Sequence, residues 1–145
     1  MHAPDPHYRK VVEAGFREAA FLSELGITLV ECGPGWCESS LRIEPRHLQH
    51  TGVIHAGVQA TIADHTAGGA AMTVTGPEDF ILTTEFKIHL LRAGTGDALL
   101  CRAQVLKPGK AFHVVESEVF ALSDDRKTLI SKLSATMAVL PRSRA

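Results

Sequence analysis

The chain has 145 residues, the usual size of one domain, and we expect residues 1–145 to form a single unit with its core in residues 25–140. Its 15 lysines and arginines nearly balance 16 aspartates and glutamates, for a formal net charge of -1, so no basic surface for nucleic acid or anionic lipid is indicated. No apolar stretch approaches the roughly 20 residues of a membrane span, and the start lacks the basic and then apolar layout of a signal peptide. We therefore predict a cytoplasmic protein without nucleic-acid or membrane partners.

The first third of the chain predicts a helix followed by a β-hairpin. Apolar residues recur at three- and four-residue steps between about residues 6 and 25, as in a helix that lies on a core. Two strand-like runs, 26–32 and 36–43, are then joined by a Gly-Pro-Gly turn.

Residues 58 to about 74 show helical periodicity but consist largely of alanine and glycine, so this helix should pack its backbone close to a neighbour. Four strand-like runs follow it, at 83–91, 98–107, 111–122 and 128–140. The order of elements predicts an α+β protein in which an antiparallel sheet of five to six strands curls around the central helix. Such a sheet keeps an uncovered edge or face, so a second copy of the chain is expected to pair there.

The central helix contains the polar groups that are candidates for catalysis. The amides of Ala56 and Gly57 fall at its first turn, where they lack partners within the helix and can polarise a carbonyl. Asp64 lies inside the same helix, where a carboxylate is costly unless it is paired or functional; a place on the solvated side is the alternative. At about 1.5 Å per residue, Asp64 lies about 12 Å from the Ala56 amide. One chain therefore cannot easily aim both groups at one carbonyl.

Four of the eight histidines fall close together, at His47, His50, His55 and His65. Their spacing matches no regular set of zinc ligands, and the three cysteines lack CxxC spacing. We therefore predict no metal site, with His55 as a structural donor and the other three as solvated residues.

This segment resembles the signature of the PaaI-like (phenylacetate-pathway type) acyl-CoA thioesterases, in which an Asn, a Gly, a His-Gly-Gly at a helix start and an Asp follow in that order. The corresponding residues here are Gln49, Gly52, His55-Ala56-Gly57 and Asp64. The resemblance extends from about residue 25 to 140 and implies the hotdog fold, with the N-terminal helix added to it. It also implies an acyl-CoA substrate, no separate cofactor because CoA is part of that substrate, and at least a homodimer; we favour a homotetramer.

By this resemblance, Asp64 is the general base or the nucleophile, and a backbone amide at Ala56 or Gly57 polarises the thioester carbonyl. Gln49 orients the water or the leaving group, and Thr83 supports the site from the next strand. In the family the Asp reaches the helix start of the partner subunit, which removes the distance problem. Gln49 stands where the family usually has Asn, and Ala56 stands where it has the first Gly of the pair. Gln49 keeps a side-chain amide and Ala56 keeps its backbone N–H, so we expect intact chemistry with a changed substrate range.

Substrate contacts are expected at His55 and at cations that meet the CoA phosphates. The candidate cations are Arg92, Lys107, Lys110, Arg142 and Arg144. Two alternatives stay open: a hydratase or dehydratase of the same fold acting on acyl-CoA, which needs a His paired with a carboxylate, and a non-catalytic acyl-CoA binding protein.

Overall fold

Six antiparallel strands form one sheet, and the longest helix packs on one face of it. The computed structural model describes residues 1–144, with only the backbone of Arg144. The helices are α1 (Tyr8–Glu18), α2 (Ala20–Leu25) and α3 (Ala56–Met72), with short 3-10 turns at Pro45–His47 and Arg142–Arg144. The strands are β1 (Thr28–Gly33), β2 (Trp36–Arg42), β3 (Asp79–Leu90), β4 (Ala98–Pro108), β5 (Phe112–Ser123) and β6 (Arg126–Pro141). The order in the sheet is β1-β2-β4-β5-β6-β3, so β3 stands at an edge beside β6.

The N-terminal helix predicted for residues 6–25 is present but is not continuous, because the chain divides it into α1 and α2 at Ala19, which has extended backbone angles. Phe16 and Leu22 are both buried. Leu22 follows Phe16 by six positions, so on an unbroken helix its side chain would point about a third of a turn away from that of Phe16. The break turns α2 so that both side chains reach the core.

Helix α3 packs closely on one face of the sheet. Its buried side includes Ala63, Ala67 and Ala70, all fully inaccessible to solvent. The Ser117 hydroxyl of β5 donates a hydrogen bond of 3.0 Å to the backbone carbonyl of Ala63, which is possible only because the side chains between helix and sheet are small. Within residues 1–144 no helix, α3 included, has both the length and the apolar character of a bilayer span.

The loop before α3 is anchored by His47, which is fully buried; its assignment to solvent is wrong. Its Nδ1 accepts a hydrogen bond of 2.9 Å from the Glu44 amide, and its Nε2 donates one of 2.8 Å to the carbonyl of Leu25. Both ring nitrogens are therefore occupied by backbone, which ties the loop to the end of α2.

We expect Gly69→Ala to destabilise the protein. A methyl group at Gly69 would lie 2.8 Å from the Sγ of Cys37 and 3.2 Å from the ring of Phe16. Overpacking of this kind costs about 1–3 kcal/mol, more than the 0.5–1 kcal/mol or so that Ala gains over Gly in a helix. Thermal unfolding at equal protein concentration measures the difference.

Gly68→Ala is the matched control, because its new methyl group would meet only Ile81 Cδ1, at an ordinary 3.5 Å. This variant should melt at or above the wild-type temperature. A Gly69→Ala protein as stable as Gly68→Ala would show that the helix and the sheet are not in tight contact.

Candidate active site

Asp64 lies half-buried on α3 and faces the edge strand β3. Its Oδ1 accepts a hydrogen bond of 2.9 Å from the hydroxyl of Thr83. The two residues, named separately in the sequence, are thus in contact, and both line one cavity between α1, α3 and the first part of β3. A carboxylate with a hydroxyl partner at the wall of a cavity is suited to act as a base or a nucleophile.

A β-bulge in β3 makes this contact possible. The pairing of β3 with β6 shifts by one residue between Thr83 and Glu85, and the Thr84 hydroxyl donates to the carbonyl of Thr136 at 2.9 Å. Beyond the bulge, Phe86 and Ile88 pair with the inward-facing Ala135 and Leu133, so strict alternation would turn Thr84 towards α3 and Thr83 away. The extra residue reverses the alternation and directs Thr83 at Asp64.

The surroundings of Asp64 act in opposite directions on its ionisation. Burial raises the pKa of Asp64 above its usual value, whereas the hydrogen bond from Thr83 and the neighbouring His65 lower it. For His65, burial lowers the pKa and the Asp64 charge acts against that shift. The balance leaves Asp64 a stronger base than an exposed aspartate, because its ionised form is less well solvated.

The first turn of α3 carries the other predicted groups. His55 is the N-cap residue, and its Nδ1 accepts a hydrogen bond of 2.8 Å from the Gly57 amide. The Val58 and Gln59 amides bond to the His55 carbonyl. Among the described residues, only the Ala56 amide of this turn is left without a partner. His55 is therefore an acceptor where we expected a donor, and Ala56 has the amide that a substrate carbonyl can reach.

Gln49 and Arg92 lie beside the start of α3. They line a second cavity together with Ala56. The Gln49 amide nitrogen donates to the Thr51 hydroxyl at 2.6 Å, and the Arg92 guanidinium donates to the Leu129 carbonyl at 3.0 Å, which holds both side chains at this end of the molecule.

The predicted residues therefore fall into two groups at two separate cavities. Asp64 and Thr83 line the first, whereas Gln49, Ala56 and Arg92 line the second. Asp64 follows Ala56 by eight positions in α3, which corresponds to about 12 Å along the helix axis.

The remaining candidate cations lie apart from each other. Lys107 and Lys110 are exposed at the end of β4 and the turn after it, and they line neither cavity. Arg142 lines the Asp64 cavity, and its Nε donates to the Pro77 carbonyl at 3.1 Å. The side chain of Arg144 lies outside the described part of the chain.

Several residues that line the Asp64 cavity were not predicted from the sequence as site residues. The ring of Phe16 on α1 contacts His65 edge-on, with 4.6 Å between ring centroids, so α1 closes one side of the cavity. Gly68 and Met72 line it one and two turns after Asp64. Their four-residue spacing from Asp64 was the available signal, but it carries meaning only once Asp64 is known to face a cavity.

Residues 51–128, more than half of the chain, match the family model described as the thioesterase superfamily, and the chain belongs to that superfamily. The predicted hotdog fold and the predicted class of enzyme, a thioester hydrolase, are confirmed at this level.

Relatives agree with this assignment. The crystal structure of a thioesterase family protein from Silicibacter pomeroyi superposes with a TM-score of 0.90 at 29% identity, covering 92% of this chain and 98% of that one. Acyl-coenzyme A thioesterase 13 of Homo sapiens is 28% identical over 103 residues, 70% of this chain and 74% of the relative. The 1,4-dihydroxy-2-naphthoyl-CoA hydrolase of Listeria monocytogenes is 25% identical over 116 residues, 79% of this chain and 91% of the relative.

Thr83→Val should raise the pKa of Asp64 further. The Thr83 hydroxyl donates to the carboxylate and so stabilises its ionised form; valine has the same shape but no donor. NMR titration of the Asp64 side-chain carboxyl carbon measures the pKa directly and needs no substrate. Thr83→Ser keeps the donor and is the matched control. Equal pKa values in the Val and Ser variants would contradict the assigned hydrogen bond.

Proposed function

We propose that this chain is an acyl-CoA thioesterase of the PaaI-like type, which hydrolyses the thioester to a free acid and CoA. One observation carries the proposal. The chain holds a half-buried carboxylate with a hydroxyl partner, Asp64 with Thr83, and a separate helix terminus with a free amide at Ala56 beside the side chain of Gln49. These are the base or nucleophile and the carbonyl-polarising donor that hydrolysis of an acyl group needs.

The chemistry follows from these groups. The Ala56 amide donates to the thioester oxygen and stabilises the negative charge that develops there. In one route Asp64 removes a proton from water, the water oxygen bonds to the carbonyl carbon, and the carbon–sulfur bond breaks to release the CoA thiolate, which then takes up a proton. In the other route an Asp64 oxygen attacks the carbonyl carbon, expels the thiolate and forms an anhydride, which water then hydrolyses. Gln49 orients the water or the leaving group in either route.

Both groups can meet at one carbonyl if two copies of the chain associate. The edge strand β3 is long and has unpaired backbone groups, with Leu82 53%, Phe86 45% and Leu90 51% exposed. Exposed apolar edges of this kind are prone to pair with another chain. We propose a homodimer in which Asp64 of one subunit faces the start of α3 in the other.

A second interface would make the dimer a homotetramer. Leu82, Ala138 and Phe112 are in register across three neighbouring strands on the outer face of the sheet, and Leu82 and Phe112 are more than half exposed. Association of two dimers would cover this apolar row.

Coenzyme A would approach from the second cavity. Arg92 is the candidate cation that lies there with Gln49 and Ala56, so we propose it as a phosphate contact. Lys107 and Lys110 could contribute only from a neighbouring subunit, because they line neither cavity of their own chain. His55 shapes the helix start through its bond to Gly57 and is proposed to contact the substrate beside it.

The hydratase alternative needs a histidine that shares the substrate with a carboxylate. His65 is adjacent to Asp64, but its ring packs on Phe16 and its pKa is lowered by burial. The described residues therefore favour hydrolysis over hydration.

Asp64→Asn should lower turnover of acyl-CoA substrates by about 10²- to 10⁴-fold, the range for loss of a positioned base. The assay follows CoA release with a thiol reagent over short, long and aromatic acyl groups, with enoyl-CoA hydration measured in parallel. Near-normal CoA release by folded Asp64→Asn would remove Asp64 from the mechanism, and hydration without CoA release would favour the hydratase.

The same variant supplies its own folding control. Because burial raises the pKa of Asp64 in the folded protein, its stabilising contribution is greatest at acidic pH and is lost as pH rises through the folded-state pKa. At neutral pH the asparagine variant removes a poorly solvated charge, so its melting temperature should not fall below that of the wild type.

Mixed dimers test whether Gln49 and Asp64 act across the interface. Gln49→Ala and Asp64→Asn are unfolded together and co-refolded. Random pairing makes about half of the dimers mixed, and each mixed dimer has one site with both residues intact. About a quarter of wild-type activity should therefore return, above the mean of the two variants refolded separately.

The control mixes Gln49→Ala with the double variant Gln49→Ala/Asp64→Asn, in which no site regains both residues. If each site used Gln49 and Asp64 of one chain, both mixtures would recover nothing and the composite site would be wrong. Light scattering that shows an active monomer would exclude it as well.

A further inference from the structure

The cavity beside Asp64 is large and mostly apolar. It has a volume of about 810 Å³, within the range of about 300–1,000 Å³ typical of small-molecule sites. Its apolar wall includes Val11, Phe16, Met72, Phe80 and Ile81. Asp64 and Thr83 supply polar groups on its wall, and charged side chains from α1 and the tail also border it.

One face of α3 forms the floor of this cavity. Asp64, Gly68 and Met72 follow one another at four-residue steps, and all three line it. Gly68 therefore lies one turn beyond the carboxylate, between Asp64 and the bulky side chain of Met72.

No feature of the fold requires glycine at position 68. Its backbone is helical, and a methyl group there would meet only Ile81, at an ordinary contact distance of 3.5 Å. The neighbouring Gly69 differs, because a methyl group there would collide with Cys37. Glycine inside a helix costs about 0.5–1 kcal/mol relative to alanine, so the chain carries at Gly68 a destabilising residue that packing does not explain.

We propose that Gly68 sets the depth of an acyl-binding pocket and makes the protein select thioesters with bulky apolar acyl groups, such as medium-chain or aryl groups. This rests on the proposed thioesterase function. The acyl group enters past Asp64, passes between Gly68, which has no side chain of its own, and Ile81, and ends against Met72 and the side chains of α1. The Phe16 contact with His65 holds α1 in place as the outer wall.

The test compares kcat/KM for octanoyl-CoA and phenylacetyl-CoA with kcat/KM for acetyl-CoA. In Gly68→Val the ratio of bulky to acetyl substrate should fall by roughly 10- to 100-fold, since a single methylene group more or less in an apolar pocket already discriminates by about 10- to 200-fold and valine adds three carbon atoms. Gly68→Ala should shift the ratio in the same direction by less. If the valine variant does not fold, the ratio measured for the alanine variant tests the proposal. Met72→Ala should move the ratio the opposite way.

The matched control is Ala20→Val, which adds the same branched side chain to an exposed helical position away from the cavity and should leave the ratio at the wild-type value. If the Gly68 variants slow bulky and acetyl substrates by the same factor, or slow neither, Gly68 does not set acyl length although the thioesterase function stands. A wild-type protein that releases CoA from none of the three substrates would overturn the proposed function, and the pocket assignment with it.

Discussion

The close approach of α3 to the sheet is the constraint on which the rest of the structure depends. The backbone carbonyl of Ala63 accepts a hydrogen bond from the sheet residue Ser117, and Gly69 leaves no space before Cys37. A helix held so tightly cannot tilt or slide without opening voids or clashes in a close-packed core. The positions of Asp64 and of the Ala56 amide are therefore fixed by packing, about 12 Å apart along one straight element. This separation is the reason for proposing that a second copy of the chain completes the site.

Two local features of the candidate site, the half-buried Asp64 carboxylate and the β-bulge in β3, reduce the stability of the fold. A half-buried carboxylate disfavours the folded state at neutral pH, and the bulge at Thr84 interrupts the pairing of an edge strand. The Thr83 hydroxyl connects the two features, because the bulge directs Thr83 at Asp64 and its hydrogen bond offsets part of the desolvation. Such departures from regular structure are common at functional sites, and they support the proposed catalytic role of Asp64 and Thr83.

The sequence predicted the parts of the molecule that depend on local patterns. Helical periodicity and small residues located α3, and strand-like runs bounded by turn residues located the six strands, because both signals arise within a few residues of chain. The sheet order could not be predicted, since it depends on β4 pairing with β2 and on β3 leaving its neighbours in sequence to join β6. The burial of His47 was missed for the same reason: its partner, the Leu25 carbonyl, is 22 residues away and gives no periodic signal. For the site, the order of residues from Gln49 to Asp64 and the separation of about 12 Å between Ala56 and Asp64 were predicted, because both follow from position along one helix. The cavities that these residues line were not predicted, since their walls come from distant segments of the chain.

Gly68 and Gly69 show that amino-acid composition alone does not distinguish a residue needed for packing from one that lines a cavity. In the sequence both belong to one stretch of small residues, which predicts only that the helix packs closely. Both line the cavity beside Asp64, but a methyl group at Gly69 would lie 2.8 Å from the Sγ of Cys37, whereas one at Gly68 would meet only Ile81 Cδ1, at 3.5 Å. Adjacent residues on a helix point about 100° apart. Within a single turn, α3 can therefore pack tightly on the sheet at one residue and leave space in the cavity at the next. Close packing on one side of α3 fixes the position of Asp64, and the absence of a side chain at Gly68 enlarges the cavity in which we propose that the acyl group binds.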